Sequence, residues 1–385
     1  MVKKFDIVVL GASGFTGKYV AEELARVTEN KNIKWAVAGR NETRIRSILK
    51  ESAKHSHLPF LNEVPVIIAD VTNQSSLNSL AESTKLLINV VGPYQTYGEQ
   101  VINACIEGAA DCIDISGEPI YLESMQLKYN DVAKSNKLYF IGACGADSLP
   151  AELGVIFTMK SFKGSLNEIE SYLYAVNANY PINVTTAESA LIGLHNKSKL
   201  VDTRKLLFSQ RLPRPEFVQP IRGACFKSEV MDKWTVVFPG SDRSVVNRTQ
   251  RCLFENDKIE KPVQYAPYWC VNSLFQTVTL VICGLMLMIC SKSQFLIDKF
   301  LKFPGLFSLG NFSSGTATRS QINNSTFQME FIGKGWKQGK DSRSPPEDTI
   351  RTSVKGPEFG YLSCAICAVQ AAFTILEERK SMPNE

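Results

Sequence analysis

The sequence predicts an α/β fold, a doubly wound parallel sheet joined to a second α+β domain. Six β-branched runs recur every roughly 20 to 30 residues between residues 5 and 142, a glycine-rich turn follows the first, and the rhythm changes after Pro150. The runs are FDIVVL, IKWAVA, VPVIIAD, KLLINVV, ADCIDIS and LYFIGAC. Each is apolar almost throughout, as strands become when helices cover both faces of a parallel sheet. Between them stand helix start signals, Asn73 ahead of QSSLNSLAES and Pro119 ahead of YLESMQLKYNDVAKS. Residues 1–150 are expected to form this first domain.

Residues 151–355 are expected to form the α+β domain. It offers an apolar helix (AELGVIFTM), a strand (EIESYLYAV), a helix near TAESALIGLHN, an exposed Pro- and Arg-rich connection over 209–222, and strands STFQMEFIG and TIRTSVKG. A hydrophobic insert over 262–310 interrupts it. Between Lys261 and Lys292 no Asp, Glu, Lys or Arg occurs, and LVICGLMLMIC is wholly apolar. The run from Leu274 is at the lower limit for crossing a bilayer of about 30 Å. In SKSQFLIDKFLKFPGLFSLGNF, lysines then alternate with Phe, Leu and Ile at helical spacing, as in a segment lying in an interface. The insert reads as a membrane-associating segment, with a buried helix, a homodimer contact or a true span as alternatives. A last helix from Glu358, apolar on nearly all sides, is expected to be buried, with residues 356–385 a separate element.

Composition narrows the function classes. The 385 residues carry 43 Lys+Arg against 38 Asp+Glu without a basic run, so no nucleic-acid partner is expected. Ten cysteines lie mostly in apolar runs, which suggests buried thiols in a reducing compartment rather than a disulfide scaffold. Three histidines, His55, His57 and His195, make a metal centre an unexpected reading. The first strand begins so early that no leader is expected and synthesis in the cytosol is.

The chemistry starts at Gly11-Ala12-Ser13-Gly14-Phe15-Thr16-Gly17, between the first strand and a helix. This strand, turn and helix context is what a dinucleotide fingerprint requires, with glycines for the tight turn and amides at the helix N-terminus for a pyrophosphate. At the end of the second strand, Arg40 stands where an NAD site keeps a carboxylate. A guanidinium there binds the 2′-phosphate, so NADP(H) is expected ahead of NAD(H). Asp70 ends the third strand where adenine would lie, and Val91, Gly92 and Pro93 end the fourth beside the cofactor. Tyr94, Tyr97, Asp114 and Ser148 are the catalytic candidates at the same sheet edge, with Glu99, Glu118 and Asp147 nearby. Each is equally readable as a loop or helix-capping group, and Cys144 as a small core residue.

Taken together, VVLGASGFTGKYVAEELA, WAVAGR, LINVVGPYQTYGEQVINAC, CIDISGEPIYLESM, GACGADSLPAELGV, SDRSVVNRTQR and VKGPEFGY resemble the saccharopine dehydrogenase family, on the oxidoreductase branch nearer to bacterial trans-acting enoyl reductases than to the lysine-pathway enzymes. The resemblance spans nearly the whole chain. It implies a Rossmann domain on which the C-terminal helix returns to pack, and association with lipid droplets, on the cytoplasmic face, and with mitochondrial or other membranes. It also implies NADPH-dependent reduction of an apolar or lipid-like substrate, including a role in glycolipid synthesis. Saccharopine cleavage fits poorly, because the loops at the sheet edge offer carboxylates rather than cations to clamp the substrate. Two departures stand out: Ala146 and Glu152 replace the family's Phe and Asp, and the family's Gly-rich segment and last helix do not follow before Glu385. The alternative function is a non-catalytic nucleotide-binding protein recruited to lipid.

Overall fold

In a computed structural model, which describes residues 3–208, 210–220, 222–340 and 343–383, the chain divides into two compact units. The first comprises residues 1–146, 196–207 and 360–385, the second 147–195 and 208–359.

Six parallel strands form the first unit's sheet: β1 (Phe5–Leu10), β2 (Trp35–Gly39), β3 (Val66–Ile68), β4 (Thr84–Asn89), β5 (Asp111–Asp114) and β6 (Phe140–Ile141), in the order β3-β2-β1-β4-β5-β6. This is the Rossmann order, with its reversal between β1 and β4. Helices α1 (Phe15–Thr28), α2 (Glu42–Ser56), α3 (Gln74–Ser83), α4 (Tyr94–Gly108) and α5 (Pro119–Asn136) connect the strands. The unbroken apolar runs have their expected cause. Val8, Leu10, Ala36, Ala38, Leu87 and Cys112 pack with Leu77, Leu80 and Val101 in one core, while the alternate Ile7, Val9, Leu86 and Ile88 are equally buried. Asn73 caps α3 through Ser76 N, and Asn41 caps α2 through Arg44 N.

The second unit opens with α6 (Leu149–Ser161), β7 (Gly164–Val176), β8 (Ile182–Asn183) and α7 (Val184–His195). The chain then leaves it for α8 (Lys197–Leu207), which packs on α5. Residues 196–207 were expected in the second domain, but Arg204 donates twice at 2.7 Å to Glu123, which is fully buried, and Asn196 donates to Gln95. A fork-to-carboxylate pair of that kind fixes a helix more firmly than sequence proximity does. Of the connection 209–222, Ser209 and Ile221 lie outside the described residues, and the rest is irregular and mostly exposed.

Next come β9 (Cys225–Ser228), β10 (Lys233–Val237), α9 (Asp242–Glu255), β11 (Gln264–Val271), α10 (Leu274–Cys290), α11 (Gln294–Lys302), α12 (Pro304–Phe307), β12 (Phe312–Ser313), α13 (Arg319–Asn323), β13 (Thr326–Lys337) and β14 (Asp348–Pro357). The mixed sheet runs β14-β13-β7-β11-β10-β9. Ala151, Val155, Val246, Ile169, Leu173, Tyr265 and Phe331 pack together where α6 and α9 cover it. The uncharged stretch is thus two different things. Residues 264–271, expected at the start of the insert, are a central strand with Tyr265, Tyr268 and Cys270 buried, and the insert proper starts at α10.

A π-helical turn over Phe359–Ser363 leads into α14 (Cys364–Glu378), which packs on α1 within the first unit. By length and composition Phe359–Glu378 could cross a membrane. Ala365, Ala368, Val369 and Ala372 are instead fully buried, as in a core helix.

Candidate functional site

The nucleotide loop is built by its glycines. Gly11 adopts φ +97°, its N–H donates to Ala38 O at 2.9 Å, and a Cβ there would lie 2.7 Å from Val91 Cγ2. Gly14 N donates back to Gly11 O at 2.9 Å, and a Cβ at Gly17 would stand 2.2 Å from that same oxygen. Gly14 itself is exposed. It forms the N-cap of α1 without any side-chain capping bond, and the first turn holds no acidic residue. The leading amides of α1 and its positive end are therefore left for an anion, at the point where the strand order reverses. Phe15 and Thr16 follow within this turn, and Val91, Gly92 and Pro93 leave β4 beside it, with Val91 N bonded to Asn89 Oδ1 and a cis Gly92–Pro93 peptide. These residues fit a dinucleotide pyrophosphate.

Arg40 is exposed at the end of β2, and a Cβ at Gly39 would meet Ile45 Cδ1 at 3.2 Å and Ser13 Oγ at 3.8 Å. Asp70 accepts from Thr72 N at 2.9 Å and Thr72 Oγ1 at 2.8 Å. Those bonds, with Arg40's charge nearby, hold its carboxyl below the usual range. Asp70 thus shapes the turn after β3.

The catalytic candidates separate. Tyr94 is 6% exposed with its hydroxyl donating to Asn89 O, and burial drives its pKa well up. Asp114, 4% exposed, accepts from Ser116 N and Ala143 N and so ties the β5 and β6 loops together. Burial pushes its pKa up to about 6. Glu118 accepts from Tyr94 N and Gln95 N, capping α4, and Glu99 pairs with Lys128 and Tyr129. Cys144 is buried and its thiol is pushed up by desolvation. Tyr97 alone of the four candidates keeps a partly exposed side chain on α4. The structure places Ser148 in the second unit, 1% exposed, with its hydroxyl 2.8 Å from Ser241 Oγ.

That serine pair marks an arrangement hidden in the sequence. Ser148 and Ser241 are the N-caps of α6 and α9, and beside them the carboxyls of Asp147 and Asp242 bond to one another. Ser241 N donates to Asp147 Oδ1 at 3.1 Å. Asp242 is 1% exposed, and its Oδ1 has no hydrogen-bond partner among the described residues. The two acids are 95 positions apart, so only the repeated Asp-Ser and Ser-Asp dipeptides hinted at them.

A second candidate surface lies on the insert. On α10, Leu274, Phe275, Val278, Ile282, Leu285, Met288 and Ile289 are exposed along one stripe, Phe275 at 78%. The opposite stripe, with Cys283 and Cys290, packs with Ala187 and Leu191 of α7 and with Ile297 and Phe300 of α11. At about 25 Å, α10 is short for a span, and its inner face is already occupied. Phe295, Phe303, Leu306 and Leu309 extend the exposed apolar surface, and Lys299 and Lys302 lie over Phe295 and Phe303. An exposed apolar stripe with lysines beside it suits an interface between water and lipid.

Residues 7–141 match the model of the saccharopine dehydrogenase NADP binding domain. The chain is 40% identical over 393 residues to a human saccharopine dehydrogenase-like oxidoreductase, covering 99% of this chain and 91% of that protein. It is 32% identical over 394 residues to the lipid droplet localized protein of Caenorhabditis elegans, covering 100% and 92%. Among solved structures, apo saccharopine dehydrogenase (L-Glu forming) from Saccharomyces cerevisiae aligns over 99% of this chain and 93% of its own with a TM-score of 0.54. At 17% identity that is a likeness of fold alone.

Proposed function

The chain belongs to the saccharopine dehydrogenase-like oxidoreductases and binds NADP(H) through its first unit; from that premise we propose that it is an NADPH-dependent oxidoreductase acting on an apolar or lipid-like substrate while seated on a lipid droplet or membrane surface. The observation that carries this reading is the exposed apolar stripe of α10 in a chain that also holds an uncapped nucleotide loop. The name of the nematode relative supports the lipid surface. Gly11, Ser13, Gly14, Phe15, Thr16 and Gly17 would hold the pyrophosphate, Arg40 the 2′-phosphate, Asp70 the adenine end, and Val91, Gly92 and Pro93 the nicotinamide end. When bound, NADPH supplies the hydride. Tyr97 is the candidate to orient a substrate from this edge, and a conjugated double bond is the group we expect to be reduced. The choice of a glycolipid over another acyl chain rests on the family resemblance alone.

A second reading keeps the nucleotide and drops the chemistry. It is favoured by the engagement of Tyr94, Asp114 and Ser148 in internal bonds. The two readings part when conjugated enoyl lipids are presented on vesicles to the NADPH-loaded protein: loss of nicotinamide absorbance supports the enzyme, and its absence across the acyl series supports the carrier.

Nucleotide choice is tested by tryptophan and nicotinamide fluorescence titration of wild type and Arg40→Asp. Replacing a guanidinium by a carboxylate beside a phosphate should cut the NADPH-over-NADH preference by about twentyfold. An unchanged preference would remove Arg40 from the site.

Docking is tested with the double substitution Phe275→Glu and Leu285→Glu. Both side chains are exposed, so the circular dichroism spectrum and Tm should hold. Flotation with phospholipid-coated triacylglycerol droplets should fall by about tenfold, since two charges must enter the interface. Equal flotation would refute a lipid-facing α10, and a shift from dimer to monomer in light scattering would assign the stripe to a homodimer.

A further inference from the structure

Around Phe15, near the start of α1, gather three groups that the cofactor reading does not use: Lys18, Tyr19 and Tyr361. The Tyr361 ring, from the π-helical turn, meets Phe15 edge-on with centroids 4.5 Å apart and planes at 89°. It also stacks on Tyr19 at 6.2 Å and 29°. Lys18 Nζ lies 4.4 Å from the Phe15 centroid and 5.0 Å from that of Tyr19. Phe15 directly follows Gly14 and opens α1, so what fixes Phe15 fixes the amides that would face a pyrophosphate. The contact joins segments 346 residues apart within the same unit.

We infer that Tyr361 is a positioning residue for the dinucleotide pyrophosphate: it pins Phe15, so that cofactor binding and docking of the turn Phe359–Ser363 stabilise one another. The inference rests on the nucleotide-binding reading above. A π turn is rare and recurs at functional sites, and here it delivers one ring to the nucleotide loop. The far end of the same helix is held independently. Arg379 pairs with Asp111 and donates to Lys137 O, and Lys31 pairs with Glu377, so α14 does not need Tyr361 to stay on its unit. A residue that sets the cradle rather than the adenosine end must act alike on both nucleotides, because the pyrophosphate is common to them. Coupling between two sites is reciprocal, so nucleotide must also protect the turn.

The test uses the full chain as wild type, Tyr361→Leu and Tyr361→Phe, titrated with NADPH and with NADH, alongside the unliganded Tm. Tyr361→Leu should raise both Kd values by about tenfold and leave their ratio unchanged, while Tyr361→Phe, which keeps the ring, stays within about twofold of wild type. A fall in Tm with both Kd values unchanged would reduce Tyr361 to a packing residue and overturn the inference. So would a loss confined to NADPH, which would act through the 2′-phosphate. Should Tyr361→Leu fail to fold, hydrogen exchange on wild type decides: NADPH should slow amides 359–366, and unchanged exchange there refutes the coupling. Wild type that binds neither nucleotide overturns the cofactor reading itself, whereas wild-type binding with an indifferent Tyr361→Leu overturns only this inference.

Discussion

Gly17→Ala is expected to abolish nucleotide binding, raising the NADPH Kd by more than about a hundredfold, or about 2.7 kcal/mol. The added Cβ would sit 2.2 Å from Gly11 O and 2.9 Å from Ala12 Cα. Both are backbone atoms, so no rotamer relieves the clash and the turn or the helix must shift. Gly11 cannot yield easily, because it is held by Ala38 O and lies against Val91, while Gly17 is buried. The displaced part is the run of amides that a pyrophosphate would contact, and small misplacements of such donors are costly. Tm should fall by several degrees as well, since overpacking typically costs about 1–3 kcal/mol. Gly14→Ala is the informative companion. Its Cβ meets only Gly11 O, at 3.2 Å, so the fold should tolerate it while the open side of the loop narrows. Fluorescence titration and thermal melts on both variants check this, and Gly17→Ala binding NADPH within threefold of wild type would refute the loop as the site.

Much of the first unit was legible because its signals are local. Unbroken runs such as FDIVVL announce strands buried on both faces, Asn73 and Pro119 announce the starts of α3 and α5, and the glycine spacing announces the turn. The second sheet's strands were legible as β-branched runs, but their order was not, because β7, β11 and β13 come together only through pairing between residues far apart in the chain. The uncharged stretch misled because lack of charge does not distinguish a central strand such as β11 from the helix α10 that follows. Helix α8 went to the other unit on the strength of one buried carboxylate, Glu123, for which no sequence rule exists. The catalytic candidates were chosen by position at a sheet edge. Position cannot tell a residue facing outward, as Tyr97 does in part, from one whose hydroxyl closes an internal bond, as Tyr94 does. Tyr361 was out of reach for the same reason as Asp242: each partner is distant in sequence.

The second unit is expected to lose stability as pH rises from about 5 to 8, and Asp242→Asn to reduce that loss. Burial is the first cause, for Asp147 and Asp242 alike: desolvation raises both carboxyls, Asp147 to about 7, against the bonds that Asp147 accepts from Ser241. In the unfolded chain both titrate near about 3.9. Between those values the folded state binds more protons than the unfolded one, so the slope of stability with pH is negative. The stabilisation is complete below the unfolded value and disappears as pH climbs through about 7. A three-unit shift on one shared proton sets a ceiling of about 4 kcal/mol, and relaxation around the newly charged pair should bring the effect to about 2 kcal/mol. Glu152, also raised to about 7 by burial and bonded to Thr249, adds in the same direction, and Tyr265 faces the group as a hydroxyl held by Ser171. Groups such as Asp6, Asp70 and Glu99 act oppositely: their pKa values are lowered, so their contribution is present above the unfolded range and lost on acidification. Stability should therefore peak near about pH 5, with the acid limb set by the first unit's carboxylates and the alkaline limb by this pair. In Asp242→Asn the amide donates to Asp147 in place of the shared proton, leaving one carboxylate to ionise with its partner intact. Melts of wild type and variant from pH 5 to 8 should thus diverge, wild type falling by several degrees while Asp242→Asn falls less, keeping the part set by buried Asp147 and Glu152. Parallel curves would show that the two acids do not share a proton, and a variant less stable at every pH would show that the pair is held by packing rather than by the proton between them.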